Sequence, residues 1–374
     1  MKTAVRTFPA HISAHGRRSG PGHTYPLYDL ISASGLTGSI LPLGASLQKI
    51  SVTDTDGTEL PIALSFLGIQ PYEDLVCYAG ATLGPNAGRI RDALLPILGT
   101  EHLLSRNDNG SQLHGGCHSL SSMLWNVDAV MCMEDTASVL LSCEQPDGLD
   151  GYPGNRRYQV CYTFTEPGEL TIEQDAWTDQ TTYVNLSNHT YWNLSGDFTQ
   201  PALHQELLIH ADQVCINDEN HLPVSLIPVT DTAFDFRKQR SLCSAIQAAS
   251  DPISLKQLQT GRGYNHGFLL KASASHDPQP TGTGLTPACT LKDPGSQRTV
   301  RLLTDAPALV LYSGGYLPDG ILLMNEQHSV PSCAVALEAQ DLPDTLHLLP
   351  NSCRLTSPDK PFHRIIQFHI LEAS

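Results

Sequence analysis

The stretch 185–196, Asn-Leu-Ser-Asn-His-Thr-Tyr-Trp-Asn-Leu-Ser-Gly, sets one histidine among amides and hydroxyls, with two aromatics behind it. His189 is its one side chain with an unperturbed pKa near neutrality, so it can give or take a proton at physiological pH. Asn188, Thr190 and Asn193 offer hydrogen bonds without charge, and Tyr191 and Trp192 offer flat apolar faces. Neutral hydrogen-bonders, an aromatic face and one titratable group suit a polyhydroxylated ring such as a sugar. A structural reading stays open beside it: a strand-to-turn corner whose histidine only satisfies core hydrogen bonds.

Five further islands carry chemistry-bearing residues. Residues 80–90, Gly-Ala-Thr-Leu-Gly-Pro-Asn-Ala-Gly-Arg-Ile, lack both the Gly-Lys-Ser/Thr ending and the Gly-x-Gly-x-x-Gly spacing of phosphate-cradling loops. They read either as a loop presenting Arg89 to a ligand or as a tight bend with a surface arginine. In 112–118, His114 and His118 have i, i+4 spacing, but Gly115-Gly116 between them argues against a helix, and no third zinc ligand follows at a recognisable spacing. A histidine held on a glycine loop to hydrogen-bond a substrate is the better reading, and no metal is expected. Residues 263–270 run a polar triplet, Tyr264-Asn265-His266, into a strand, and 306–314 read mostly as core strand. In 335–344, Glu338 follows an apolar strand, where a carboxylate is costly unless paired or functional. A strand-end salt bridge to an arginine is the structural alternative.

The chain that must position these groups has 374 residues, with 22 basic and 38 acidic side chains and a formal net charge of −16. Such a field repels phosphate backbones and anionic lipid heads, so neither nucleic acid nor membrane is an expected partner. Ten cysteines scatter without a Cys-x-x-Cys pair, which points to reduced thiols in the cytoplasm. No apolar run approaches 18 residues, and the basic N-terminus lacks the apolar run of a signal peptide.

Residues 1–24 read as a loose arm or short edge strand. From Tyr25 onward, short apolar runs alternate with Gly, Asp, Asn and Pro. Strands are predicted at 27–32, 39–43, 47–52, 138–143, 158–164, 170–176, 207–209, 299–303, 309–312, 334–338 and 365–371, with a hairpin turn at 54–57. Helices are predicted only at 241–248, 253–259 and within 61–75, and 272–286 reads as an exposed loop. This pattern predicts an all-β protein, a sandwich or barrel, in which 25–374 form a single domain.

Taken in order, the islands resemble the aldose 1-epimerases, or galactose mutarotases. The matching elements are Asn-His-x-Tyr-x-Asn-Leu at 188–194, Leu-His-Gly-Gly at 113–116 and Leu-Glu-x-Gln-x-x-Pro-Asp at 337–344. Tyr-x-His-x-Phe at 264–268 and Gly-Arg-Ile at 88–90 fit as well, and the similarity runs from about Tyr25 to the C-terminus. The resemblance implies a large antiparallel β-sandwich whose cleft holds one monosaccharide and no cofactor. It implies His189 as the acid that protonates the ring oxygen and Glu338 as the base that takes the anomeric hydroxyl proton. Arg89, His114, Tyr191 and Asn265 would line the sugar site. Three departures stand out: Gly88 where the family usually has Asn, Asn265 where many members carry Asp, and Val310 where some carry Gln. These leave acid and base in place but predict an altered sugar preference.

Anomer interconversion opens the hemiacetal, rotates about C1–C2 and closes on the other carbonyl face, and one acid and one base suffice for it. That chemistry asks for a carboxylate poised as base and a histidine held protonated as acid. A glycoside hydrolase would need a second carboxylate, for which Asp344 and Glu173 are the candidates. A non-catalytic sugar-binding module would lack the acid or the base. An epimerase of a phosphorylated hexose would show a basic cluster, whereas only Arg89 and Arg91 lie close together.

Overall fold

Strand Glu169–Thr178 buries every second residue, Leu170, Ile172, Gln174 and Ala176, and turns the others outward. Its neighbour Arg156–Thr165 alternates in the same way. A two-residue period with one buried face makes a sheet with one side in water and the other on a core. In the computed structural model, which describes residues 1–7, 25–53, 57–271 and 284–371, these strands belong to a nine-stranded sheet that also holds Phe362–Leu371 and Thr299–Thr304.

Strand Val335–Gln340 differs, because all six of its residues are buried. It lies in a six-stranded sheet beside Tyr191–Trp192 on one side and Ala308–Tyr312 on the other, followed by Asn265–Leu270. Val335, Leu337 and Ala339 join Leu309, Leu311 and Phe268 in the main core, which also contains Leu302 and Phe368 of the long sheet. The Trp192 and Phe368 rings meet at 4.9 Å between centroids, tying the two sheets together. By the same alternation Ala336, Glu338 and Gln340 face away from that core. A five-stranded sheet runs from Lys2–Thr7 to Glu59–Pro61, and every paired strand among the described residues is antiparallel to its neighbour. The architecture is all-β, as the strand spacing led one to expect, and is the antiparallel β-sandwich that the family resemblance implied.

The N-terminal arm begins as an edge strand: Lys2–Thr7 pairs with Pro26–Ile31. Residues 8–24, most of the 54–57 turn and 272–283 of the expected loop lie outside the described residues. Two expected helices form. Leu242–Gln247 is capped by Ser241, which accepts from Ser244 N, and Pro252–Gly261 by Asp251, which accepts from Ser254 N, with Pro252 opening the helix. The third is reduced to Gln70–Glu73. Upstream of it the backbone is held by other strands, Ile62 N donating to Ile50 O and Leu64 N to Tyr191 O, so that segment stays extended. No helix among the described residues is long and apolar enough to cross a membrane.

Candidate active site

The outward face of the six-stranded sheet forms the floor of a cleft of about 570 Å³. Glu338, in mid-strand rather than at a strand end, stands on this floor directly opposite Val310, with Gly267 beyond. His189 comes from the segment running alongside, between the short strands Ser187–Asn188 and Tyr191–Trp192. Its backbone is pinned by His189 N donating to Ala81 O at 3.0 Å and Gly80 N donating to His189 O at 2.9 Å. The result places His189 Nε2 3.8 Å from Glu338 Oε1. Among the described residues no arginine forms an ion pair with Glu338; its near neighbour is the histidine.

Most of the polar residues around His189 do something other than the sequence reading proposed. Asn188 donates to Gly80 O and to Tyr162 Oη, and accepts from Thr190 N and Oγ1. Asn193 donates to Asp197 O and Cys333 O. Trp192 is fully buried in the core. These groups hold the corner, because buried backbone atoms need partners; they do not reach the cleft. Tyr191 does line it, yet its hydroxyl donates to Cys77 O at 3.0 Å, so what it offers is its ring, stacked on His189 at 4.6 Å.

Arg89 and His114 arrive together because Arg89–Ile90 pairs with Gln112–Leu113, opposing Leu113 to Arg89. Gly88, φ +82°, supplies the left-handed turn before that strand, a conformation that glycine adopts freely. Arg89 Nε donates to Asp108 Oδ2 at 2.6 Å, which leaves the guanidinium at the cleft wall. Gly88 N donates to His114 Nδ1 at 3.1 Å. A neutral imidazole accepting at Nδ1 carries its proton on Nε2, so His114 is a donor. Asn265 lines the cleft as expected, and its carbonyl accepts from Asn217 Nδ2.

Electrostatics differ from the simple expectation. Burial pushes Glu338 up to about 8, with the Arg89 charge pulling the other way. Burial pushes His189 down to about 3 and His114 well below the usual histidine range. The sequence reading asked for a histidine held protonated beside an ionised carboxylate. Desolvation favours the opposite, both groups neutral with the proton on Glu338, because each charge loses its hydration on burial.

Other sequence candidates fall elsewhere. His118 is exposed and faces Asp150 outside the cleft. His266 is buried, with Nε2 at 3.0 Å from Gln257 Oε1 and Nδ1 accepting from Asn265 N. Asp344 is buried against Arg91 and His347, and Glu173 sits on the long sheet opposite Cys161. Neither is in position to be a second carboxylate for hydrolysis. Conversely Tyr78, Asp108, His221, Tyr312, Tyr316 and Gln340 line the cleft without having been singled out. Only Gln340 carried a readable signal, two residues after Glu338 and hence on the same face.

A family profile described as aldose 1-epimerase matches residues 26–363. The aldose 1-epimerase of Escherichia coli K12 is 29% identical over 339 residues, covering 90% of this chain and 91% of its own. The galactose mutarotase of Rattus norvegicus is 31% identical over 318 residues, covering 83% and 84%. The crystal structure of galactose 1-epimerase from Lactobacillus acidophilus NCFM superposes with a TM-score of 0.80 at 27% identity, covering 100% of this chain and 99% of that one. With a profile matched over nearly its whole length and relatives of about 30% identity over most of the chain, the chain belongs to the aldose 1-epimerase family and is an isomerase that interconverts the anomers of an aldose.

Proposed function

We propose that Glu338 and His189 are the proton-transfer pair of this reaction, with Arg89, His114, Tyr191 and Asn265 binding one monosaccharide. The observation that carries the reading is the 3.8 Å approach of His189 Nε2 to Glu338 Oε1 on the floor of the cleft. Ring opening starts from glutamate and imidazolium. Glu338 takes the proton of the anomeric hydroxyl, the C1–O5 bond breaks as C1=O1 forms, and O5 takes the proton of His189. Rotation about C1–C2 presents the other carbonyl face. In closure O5 attacks C1 and returns its proton to His189, while O1 takes the proton of Glu338.

Burial gives this sequence a direction. Ring opening converts a charged pair into a neutral acid and a neutral imidazole, the state that desolvation favours at both residues. Because that neutral state is also the resting one, the proton must first pass from Glu338 to His189, at a cost that burial sets. The Arg89 charge offsets part of the cost of the carboxylate while the sugar is closed. Neutral partners and a net charge of −16 support an uncharged sugar over nucleic acid or a membrane surface. Ten unpaired cysteines support a reducing, cytoplasmic setting. One core drawing on residues from Leu30 to Ile370 supports reading 25–374 as one domain.

Polarimetry of freshly dissolved α-D-glucose or α-D-galactose tests the assignment. Glu338→Gln and His189→Asn should each lower kcat by roughly 10²–10⁴-fold while the protein stays folded. A folded Glu338→Gln protein with full activity sinks it.

A further inference from the structure

On the cleft face of its sheet, Glu338 has Ala336 and Gln340 beside it on its own strand and Val310 opposite on the next. Past Val310 the face continues as Gly267, where an added Cβ would meet Pro343 and Leu342 at 3.0 and 3.1 Å. Among these positions only Gln340 carries a hydrogen-bonding side chain. Gln340 is 1% exposed, lines the cleft, and finds no hydrogen-bond partner for Nε2 or Oε1 among the described residues. Two buried amide atoms in that condition are costly unless something else satisfies them. Gly88 leaves room beside them, since a Cβ there would stand 3.4 Å from Gln340 Nε2.

We propose that the Gln340 carboxamide is a substrate-binding group that takes the hydroxyl on C2, the carbon next to the anomeric centre. The proposal rests on the placement of O1 at Glu338 and O5 at His189. His189 approaches Glu338 from the side, as the pairing of Tyr191 with Ala336 and the bond from Ser187 Oγ to Ala339 O fix the alignment of the two segments. C2 then leaves C1 at a wide angle from O5, along the strand or across it. Across it lie Val310 and Gly267; back along it lie Ala336 and the Tyr191 ring. Tyr312 and Asn265 stand diagonally beyond Ala336, and Tyr312 Oη already accepts from Tyr316 N; along the strand from Glu338 the buried amide without a partner among the described residues is that of Gln340. An amide both donates and accepts, so it serves a hydroxyl in either sense. Holding C2 also has a mechanistic consequence: rotation about C1–C2 then swings the aldehyde rather than the remainder of the sugar.

The test deletes the two partners in turn. Wild type, Gln340→Leu and Gln340→Met are assayed by polarimetry on D-glucose and 2-deoxy-D-glucose, or on D-galactose and 2-deoxy-D-galactose, whichever pair turns over faster, after subtracting the uncatalysed rate. Wild type should favour the hydroxylated sugar about tenfold in kcat/KM. Gln340→Leu should lose about that factor on the hydroxylated sugar, change by less than about twofold on the 2-deoxy sugar, and melt no lower than wild type. Should Leu fail to fold, Met, which is unbranched and close to Gln in length, carries the same expectation. Equal losses on both sugars would make Gln340 structural and overturn the proposal, as would a discrimination left intact. Such a failure alongside an inactive Glu338→Gln condemns only Gln340; an active Glu338→Gln condemns the acid–base assignment itself.

Discussion

The backbone N–H of Gly88 donates to Nδ1 of His114 at 3.1 Å, and that one bond decides what His114 can do. It places the imidazole proton on Nε2, and the depressed basicity of the buried ring keeps the group a neutral donor across the working range. Its ring lines the cleft 5.6 Å from that of His189 and 4.8 Å from that of Tyr78. His114→Gln should keep a donor near the Nε2 position, whereas the shorter His114→Asn should not. We expect kcat/KM to fall roughly 10²-fold for Asn and distinctly less for Gln. Equal losses would mean that ring packing, not donation, is what matters. His118→Asn is a fitting control, being exposed outside the cleft; His266→Asn is not, because it breaks a buried bond to Gln257.

His189, Glu338, Arg89 and His114, which line one cleft, were legible as candidates because each sits in a short motif whose residue types the proposed chemistry requires. Register was not legible. That Val310 stands opposite Glu338, and Tyr312 opposite both Ala336 and Asn265, depends on pairings between segments far apart in the chain. Asp108, which holds Arg89, lies in a turn with no chemical signature of its own. Asn188 and Asn193 were misread for a different reason. An amide's type says that it needs hydrogen bonds, not whether a ligand or its own backbone supplies them. Protonation was hidden too, since burial, which removes the charges expected of Glu338 and His189, belongs to the tertiary structure.

Glu338 should also weigh on stability in a pH-dependent way. Burial pushes its carboxyl up to about 8 in the fold, against 4.5 for an ordinary glutamate. Between these pH values the folded chain holds a proton that the unfolded chain has released, so stability falls as pH rises. Glu338→Gln has no such term. Its melting temperature should therefore gain on wild type as pH moves from 5 to 8, by a few degrees. A difference that stays constant over this range would mean that the folded carboxyl is not displaced upward.

Asn265 lines the cleft with an amide, which cannot accept two hydroxyl donors as a carboxylate does. Asn265→Asp should improve kcat/KM for galactose relative to other aldoses. The galactose-to-glucose ratio is the measurement, since it cancels general losses. If the ratio is unchanged, position 265 does not read hydroxyl stereochemistry.

The pH dependence of kcat/KM separates a shared-proton pair from two independent groups. An ordinary carboxylate and an ordinary histidine would lose the acid above about pH 6.5, the unperturbed histidine value. Here the two buried groups stand 3.8 Å apart, and on the proposed mechanism the competent free enzyme is the form with one proton on the pair. That form persists from the low titration of His189, at about 3, to the high one of Glu338, at about 8. As pH rises through the upper value the pair loses its only proton, no acid remains for the ring oxygen, and activity falls. As pH drops through the lower one both groups are protonated and no base remains. Because kcat/KM reports the free enzyme, it should stay level through neutrality and decline with a midpoint near pH 8. A decline centred near pH 6.5 would show that His189 titrates as an exposed imidazole, and the shared-proton account would fall.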